Sequence, residues 1–372
     1  MTITQNCENS DALEISAWRR TQAYSGHGIH RAGWPGFEQS CSWLEYELNH
    51  AGADVVRQCW SFPFYDARCR VTLNGGVVDS MPLYYSAIGI YNIKSPLVVR
   101  IDPHLTDFEL NEQIKKWVDL ATESDCDGLV IATDNILGEL VAINRKPASL
   151  GYLPVILIPG WISAADHAGG FCDISFSAHL ETRTGSNLVA RFGGESDSPI
   201  VITTPISGWF ECAGERGTGL AIAIELAQSL SSKFPVELLL AGGHELGYLG
   251  GYEFAMNYTK RPRFIFHLGS CIATRAASLE AVCSATQPQF DEIEKLLKGK
   301  VSRFRRPSIP EQKAEWMGES ECWAYRNIPM FSIAGLNYLF HTPADLPGVA
   351  SSPLLLSETA ACLSEVLDCM AG

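Results

Sequence analysis

From residue 200 onwards, short apolar segments alternate with longer amphipathic ones, and this alternation limits the possible folds more than any other feature of the chain. Segments of strand length lie at residues 200–204, 236–241, 263–268 and 330–334. Segments with helical spacing of apolar residues lie at 217–231, 248–257, 290–298, 320–327 and 354–370. Strands that alternate with helices of this length form parallel β-α-β units. We therefore predict an α/β fold, a three-layer sandwich with a mostly parallel central sheet.

The first half of the chain predicts a second unit. Residues 36–52 have helical spacing and residues 55–62 alternate as a strand does. Between residues 73 and 184 the pattern changes to short strands, with one amphipathic helix at 111–123; the strands lie at 97–101, 128–133, 154–158 and 174–178. We predict that residues 73–184 form an inserted β-rich domain and that residues 1–72 and 185–372 together form the main domain.

The charge of the chain excludes several classes of partner. Among 372 residues, 42 are acidic and 28 are lysine or arginine, which gives a formal net charge of −14. Nucleic acids and anionic membranes bind basic surfaces, so neither is expected as a partner. No apolar run of signal-peptide or membrane-helix length is present in residues 1–15 or later, which favours a cytoplasmic protein. We expect a small-molecule or short peptide-like substrate, and the insert is a candidate surface for homo-oligomer contacts.

Polar side chains collect where the predicted parallel strands end. Three of the nine histidines lie at these ends. Ligands of open α/β sheets bind outside the carboxyl ends of the strands, so a shared cleft is expected there. The alternative is chance, since strand ends are polar in general. The residues concerned are Ser207, Trp209, His244, Glu245, His267, Cys271, His341 and Asp345.

His244 and Glu245 place an imidazole and a carboxylate side by side after two glycines. The helical zinc-protease motif has a second histidine four residues after the first, and Tyr248 holds that position here, so the motif is absent. A buried carboxylate costs several kcal/mol unless it is paired or bound to a metal, so Glu245 needs a partner. We predict His244 and Glu245 as the acid/base residues, with His341 and Asp345, which share a turn, as a second catalytic pair.

Further residues at this edge are candidates for substrate binding. Glu215 and Arg216 precede an apolar helix, and the free amides and positive dipole end of that helix favour an anion. Arg216 either binds a substrate carboxylate or forms a surface turn with Glu215. His267 is expected to point to the opposite side of the sheet, and Ser207 and Cys271 are candidate nucleophiles without a nucleophile elbow. The substrate-binding candidates are Ser207, Trp209, Glu215, Arg216, His267, Cys271 and Glu321.

These motifs resemble the family of dizinc aminopeptidases that includes bacterial leucyl aminopeptidases, glutamate carboxypeptidase and glutaminyl cyclase. Residues 243–250, Gly-His-Glu-Leu-Gly-Tyr-Leu-Gly, resemble the family's Glu-Glu-x-Gly-x-x-Gly motif, and residues 340–345, Phe-His-Thr-Pro-Ala-Asp, resemble its Tyr-His-Thr-x-x-Asp motif. Residues 31–36, 73–184 and 186–190 resemble its N-terminal motif, its protease-associated insert and its return strand. The resemblance covers nearly the whole chain and implies the α/β sandwich with a protease-associated-like insert.

Most of the family's metal ligands are replaced in this chain. Its His-x-Asp motif falls on residues 205–207, which are Pro-Ile-Ser. Its bridging aspartate falls on Gly214 or, with a shift of one residue, on Glu215, and its third-strand aspartate falls on Gly269. A dizinc centre is therefore not expected, and the cofactor is either absent or a single zinc.

Only Glu245 and His341 occupy ligand positions of the family, and His244 replaces its general-base glutamate. In one hypothesis, these three residues form a single zinc site that activates water. In a second, no metal binds, His244 is a general acid/base oriented by Glu245, and Arg216 holds an anionic group of a small carboxylated amide, ester or cyclic substrate. Hydrolysis of a C–N bond is expected, with lyase, cyclase or isomerase chemistry as the alternative. In a third, the protein is a catalytically inactive binding protein.

Overall fold

Two β-sheets organise the chain. The computed structural model describes residues 16–102, 107–162, 171–300, 307–312 and 315–372, and in these residues nine strands form one sheet and four form another. The large sheet contains β1 (Asp54–Leu73), β2 (Gly76–Val78), β4 (Gly89–Ile93), β8 (Phe171–Phe192), β9 (Ile200–Pro205), β10 (Val236–Ala241), β11 (Ile265–Leu268), β12 (Ser278–Cys283) and β13 (Met330–Leu336). The small sheet contains β3 (Met81–Pro82), β5 (Pro96–Ile101), β6 (Gly128–Thr133) and β7 (Val155–Pro159).

The helices connect these strands. They are α1 (residues 16–25), α2 (Pro35–His50), α3 (Asp107–Glu123), α4 (Thr218–Leu230), α5 (Leu249–Asn257), α6 (Gln287–Lys300), α7 (Pro347–Ala350) and α8 (Pro353–Ala371). Shorter 3-10 segments lie at Pro147–Ser149, His244–Leu246 and Gly318–Arg326, and a π-helical turn lies at Ala213–Gly217.

The large sheet has a parallel centre. Its strand order is β12-β13-β11-β9-β10-β8-β1-β2, with β4 beside β8. Strands β13, β11, β9 and β10 are parallel neighbours, and every residue of β9, β10 and β11 is buried. Strands of this kind need cover on both faces, because neither face can contact water. The predicted α/β class and its parallel centre are confirmed, and antiparallel strands extend the sheet on both sides.

Helices cover both faces of the sheet and produce three layers. On one face, Leu220 of α4 lies in the same buried cluster as Ile202 of β9. On the other face, Phe254 of α5 and Trp323 of the last 3-10 segment pack in a second cluster with Val201. Val201 and Ile202 are consecutive residues, and consecutive strand residues point to opposite faces. The apolar surfaces of the two helical layers therefore enclose the parallel strands.

Strand β8 continues through 22 residues, where the sequence predicted two separate strands at 174–178 and 186–190. It pairs with the whole of β1, from Asp54 opposite Arg191 to Leu73 opposite Phe171. Residues 179–184 are exposed or half-buried. Since neither face of this part of the β1–β8 ribbon is fully covered by other elements, the fold does not require apolar residues at alternate positions there, and the sequence shows no such alternation.

The small sheet lies within the segment predicted as an insert. Its order is β3-β7-β6-β5, and α3 packs against β5 and β6. Strand β8 crosses the second predicted boundary, so residues on both sides of position 184 pair with β1. The division into a main domain of residues 1–72 and 185–372 and an insert of residues 73–184 stays a prediction.

Membrane insertion by a helix finds no support in the described part of the chain, where every helix is too short or too polar to span a bilayer. Residues 1–15, in which no signal peptide was expected, lie outside the described residues. The cytoplasmic location stays a prediction.

Trp60 connects the β1–β8 ribbon to the carboxyl edge of the parallel strands. It lies directly opposite Gly185 in the register, and an added Cβ at Gly185 would overlap its six-membered ring. A Cβ on Gly243 would lie 2.8 Å from the same ring. The indole Nε1 donates a hydrogen bond to Asn187 Oδ1 at 3.4 Å. Two glycines therefore allow Trp60 to support the turn that precedes His244.

We expect the substitution Gly185→Ala to lower the free energy of unfolding by about 1–3 kcal/mol, because the new methyl group forces Trp60 out of its position. Urea unfolding followed by tryptophan fluorescence measures this change. Gly348→Ala is the matched control, since no atom lies within 4 Å of an added Cβ at Gly348. Equal stabilities of the two variants would contradict the proposed role of Gly185.

Candidate active site

The predicted site residues meet at the carboxyl edge of the parallel strands. Ser207 follows β9, His244 follows β10, His267 lies near the end of β11 and His341 follows β13. Several residues at this edge have positive φ although they are not glycine, and such strain clusters at functional sites. They are Phe210 (57°), Cys212 (29°), Tyr248 (64°), Cys271 (54°) and His341 (60°).

Hydrogen bonds to Asn187 hold the turn that carries His244. The Oδ1 atom of Asn187 accepts from the Gly242 N–H at 3.0 Å, and its Nδ2 donates to the Gly250 carbonyl at 2.9 Å. Gly243 adopts a φ of 75°, which lets the chain turn sharply out of β10 into the 3-10 segment. The buried amide therefore fixes both ends of the turn, and the position of His244 follows from it.

His244 pairs with Glu319, a residue that the sequence reasoning missed. The distance between His244 Nδ1 and Glu319 Oε1 is 2.8 Å. The Glu319 side chain is 1% exposed and that of His244 is 11% exposed. The prediction that Glu245 orients His244 is wrong in this geometry, because neighbouring residues of a helical turn point in different directions.

Glu245 is held by backbone and hydroxyl groups. Its Oε1 accepts from the Ala32 N–H at 2.7 Å, and its Oε2 accepts from the Ser207 hydroxyl at 2.7 Å. The Ser207 oxygen in turn accepts from the His244 N–H at 2.9 Å. The predicted need of Glu245 for a partner is thus met by donors rather than by a metal. Ser207 serves as a bridge between backbone and carboxylate, and its hydroxyl proton is directed away from His244.

A fully buried ion pair lies beside this network. Arg216 Nη2 is 2.7 Å from Glu215 Oε1, and neither side chain is exposed. His341 Nε2 lies 3.2 Å from the same carboxylate oxygen, while its Nδ1 is 3.0 Å from the Ala142 carbonyl oxygen. Arg216 Nε donates to the Ser207 carbonyl at 2.9 Å. The predicted alternatives for Arg216, a substrate carboxylate or a surface turn, are both replaced by this internal pair.

The surrounding charges keep the two buried carboxylates ionised. Burial acts to raise the pKa of Glu215, but Arg216 and His341 outweigh it and lower that pKa to about 2. Burial likewise acts to raise the pKa of Glu319, and His244 outweighs it and lowers that pKa to about 2. The carboxylates of Glu215 and Glu319 are therefore ionised at neutral pH, and each lies next to a histidine at the carboxyl edge of the sheet, His341 and His244 respectively.

Asp345 occupies the anion position that the sequence predicted for a substrate. Its two carboxylate oxygens accept from the N–H groups of Gly214 and Glu215 at 2.8 and 2.9 Å. The amides at the start of the π-helical turn are therefore bonded within the chain. Burial raises the pKa of Asp345 to about 7, although these N–H donors act in the opposite direction. The predicted pairing of Asp345 with His341 is replaced by His341–Glu215.

His267 faces the site rather than the opposite side of the sheet. Its Nε2 lies 4.0 Å from Glu319 Oε2, and burial lowers its pKa to about 4. In the sheet register, Thr203 and Ser332 flank His267 on the neighbouring strands. All three side chains are fully buried and carry polar atoms without a hydrogen bond to any described residue. They form a polar row beneath the His244–Glu319 pair.

The remaining candidates lie at the margin of the site. Cys271 is fully buried, and burial raises its pKa well above the usual range, so the thiol is unsuited to act as a nucleophile. The ring of Trp209 lies 6.4 Å from the ring of His341, and its Nε1 donates to Asn144 Oδ1 at 2.8 Å. Glu321 accepts from the Tyr252 hydroxyl at 2.7 Å, so Glu319 takes the place in the site that was expected for Glu321.

Comparisons with known proteins agree on the architecture. No protein-family model matches the chain, and no curated protein is similar to it in sequence. The M28 peptidase precursor of Shewanella amazonensis matches with a TM-score of 0.73 and 15% identity, over 100% of this chain and 98% of that one. The chain has an aminopeptidase-like fold. The zinc aminopeptidase BSAP of Bacillus subtilis matches with a TM-score of 0.72 and 14% identity, over 95% and 94% of the two chains.

A glutaminyl cyclase of Porphyromonas gingivalis matches with a TM-score of 0.53 and 11% identity, over 95% of this chain and 97% of that one. The structural neighbours of the present chain thus include zinc aminopeptidases and glutaminyl cyclases, as the sequence resemblance predicted. Identities this low support the shared fold alone.

The side chains at the aminopeptidase-like edge do not fit a dizinc centre. Within the described residues, no three His, Cys, Asp or Glu side chains are grouped so that they could hold a metal ion. The carboxylate of Glu245 is occupied by Ala32 and Ser207, and that of Glu215 faces the cation of Arg216. The Arg216 guanidinium beside Glu215 would repel a divalent cation. The His244, Glu245 and His341 zinc site of the first hypothesis is not assembled.

We expect Arg216→Met to lower the free energy of unfolding by about 3–5 kcal/mol, because it removes the guanidinium that compensates the buried carboxylate of Glu215. The double variant Glu215→Gln with Arg216→Met should recover most of this loss, and urea unfolding of the three proteins measures it. Lys233→Met is the control, since the Lys233–Asp368 pair is exposed and contributes at most about 1 kcal/mol. A single and a double variant of equal stability would argue against the buried pair.

Acid should destabilise the protein through His267. The folded-state pKa of about 4 lies below the ordinary value of 6.5, so protonation favours the unfolded chain. The contribution of His267 to stability is complete above pH 6.5 and is lost as the pH falls from 6.5 to 4. We expect urea unfolding of His267→Gln to depend less on pH in this interval than that of the wild type. Identical pH profiles would show that His267 is not held neutral in the folded protein.

Proposed function

We propose that this protein is an acid–base enzyme that acts on a small amide, ester or cyclic substrate without a dizinc centre. The observation that supports the proposal is the His244–Glu319 pair, in which a buried carboxylate holds Nδ1 of a partly exposed imidazole. A carboxylate on one ring nitrogen fixes the tautomer and orientation of a histidine and stabilises the imidazolium that forms during proton transfer.

The free nitrogen of His244 is the group that transfers the proton. Its Nε2 makes no hydrogen bond or ion pair with any residue that the structure describes. In hydrolysis, Nε2 takes a proton from water while the water oxygen attacks the substrate carbonyl carbon. The C–N or C–O bond then breaks, and the imidazolium returns the proton to the leaving nitrogen or oxygen. Such a step contributes about 10²–10⁴ to the rate.

The second pair supplies a fixed electrostatic environment. Arg216 and His341 both contact Glu215, and the charge of His244 is close enough to affect the pKa of Glu215. The Arg216 guanidinium and the groups paired with it form a preorganised polar environment, and such environments stabilise charge that develops on a substrate oxygen. Because these side chains are already held by one another, they need little rearrangement during the reaction.

Cyclisation or elimination of a small substrate is the second candidate function. Glutaminyl cyclases are among the proteins with the same fold, and the His244–Glu319 pair can move a proton within a substrate as well as from water. Incubation in water enriched in the heavy oxygen isotope separates the two functions, since only hydrolysis adds the label to the product.

We expect the purified protein to turn over at least one member of a panel of aminoacyl amides, N-acyl amino acids, glutaminyl peptides and cyclic amides, followed by mass spectrometry. His244→Gln should lower kcat/KM by at least about 100-fold, because the proton-transfer group is lost. His179→Gln is the matched control, since His179 lies 3.9 Å from Asp66 in an exposed pair outside the site.

The same turnover should persist after dialysis against EDTA and 1,10-phenanthroline, and elemental analysis should find well under two zinc ions per chain. Unchanged kcat/KM in His244→Gln would reject the acid–base role. Loss of turnover on chelation, with recovery on addition of two equivalents of zinc, would show that the reaction needs the metal centre that the side chains do not fit.

A further inference from the structure

Arg31 is a buried cation without an anion. The residue is 2% exposed, and its Nε and Nη1 atoms are buried without a hydrogen-bond partner. Within the described residues, no carboxylate forms an ion pair with it. Arg216, the other fully buried arginine of the site, has Glu215 at 2.7 Å. The two arginines therefore differ in that only Arg216 is neutralised by the protein.

Two aromatic rings form a corner around the Arg31 guanidinium. Its Cζ lies 3.3 Å from the centre of the Tyr84 ring and 4.7 Å from that of the Trp209 ring. The two rings are 5.2 Å apart and inclined at 58°. Cation–π attraction stabilises a guanidinium in this position, but it is weaker than the cost of removing the charge from water without an anion. The Nε and Nη1 donors have no hydrogen-bond acceptor among the described residues.

Arg31 lies next to the proposed reaction site. The N–H of Ala32, the following residue, donates to Glu245. The Trp209 indole that contacts Arg31 also lies edge-on to the His341 ring at 6.4 Å. Arg31 and His341 therefore both lie against the same indole ring, so a ligand bound to Arg31 would lie close to the proposed reaction site.

We propose that Arg31 binds a carboxylate of the substrate, so that the substrate class is small carboxylate-bearing amides; this inference rests on the proposed function. Guanidinium donors match the two oxygens of a planar carboxylate. The Arg31 guanidinium carries a single positive charge, which balances a carboxylate monoanion but only half of the charge of a phosphate dianion. The anion-binding role expected of Arg216 belongs to Arg31.

The test uses the full chain and two probes that differ in one group. N-acetylglycine carries the carboxylate, and N-acetylglycinamide is its neutral counterpart. We expect isothermal titration calorimetry to show that the wild type binds N-acetylglycine at least tenfold more tightly than the amide. In Arg31→Met this preference should disappear. It should persist in Arg183→Gln, the matched control, since Arg183 also lies over an aromatic ring but is paired with Glu181.

Thermal unfolding without ligand provides a second measurement. Arg31→Met should raise Tm, because it removes an uncompensated buried charge, whereas an arginine with a purely structural role would lower Tm when lost. Equal affinity of the wild type for the two probes, or retention of the preference in Arg31→Met, would overturn the proposal. So would a lower Tm in that variant.

The two proposals fail in different ways. His244→Gln should bind N-acetylglycine as tightly as the wild type, since binding does not require proton transfer. If the carboxylate preference holds and no substrate of the panel is turned over, the acid–base function is rejected and the Arg31 subsite stands. If turnover depends on His244 and the preference is absent, the subsite is rejected and the function stands.

Discussion

The arrangement of the carboxyl edge depends on one buried cation, the guanidinium of Arg216. A buried ion pair repays the loss of hydration only when its geometry is good and its neighbours add further polar contacts. Here the Glu215 carboxylate lies within ion-pair distance of both Arg216 and His341, and the Arg216 Nε donates a hydrogen bond to the Ser207 carbonyl. The charge of the arginine thereby stabilises the carboxylate of Glu215, on which the resemblance to dizinc aminopeptidases places the metal-bridging aspartate if the alignment is shifted by one residue from Gly214.

The edge combines a static part with a part that reaches solvent. Three acidic side chains are each held in place by hydrogen-bond donors or cations of the chain itself, namely Glu215, Glu245 and Asp345. His244 differs, because only one of its ring nitrogens is held, by Glu319. The aminopeptidase-like fold thus carries paired polar side chains at its strand ends, and among them the His244–Glu319 pair supports the acid–base function proposed above.

The sequence predicted the fold well because the decisive signal is local. Apolar runs such as residues 236–241 alternate with amphipathic helices, and each maps onto a buried strand of the sheet. Strand β12 was missed because it is an edge strand in which the exposed polar residues Ser278 and Glu280 interrupt the apolar ones, so no continuous apolar run marks it. The long polar middle of β8 was missed for a similar reason, since exposed antiparallel ribbons carry little hydrophobic pattern.

The site was predicted less completely because its pairings are not local. His244, Glu245, His341 and Asp345 were found as residues at strand ends, but their partners depend on side-chain direction. Glu319 lies 75 positions from His244, in a 3-10 segment without a motif. Arg31 precedes the first strand, and although residues 31–36 resemble the family's N-terminal motif, nothing in that motif shows that the Arg31 side chain lies at this edge. Within the π-helical turn, the Gly217 N–H donates to the Cys212 carbonyl five residues earlier. Each α-helical residue rotates the chain by about 100°, so a deletion of one residue here would swing Arg216 out of the edge and leave the acidic groups without their counter-ion. The electrostatics of this edge therefore depend on the number of residues in a single turn as well as on side-chain identity.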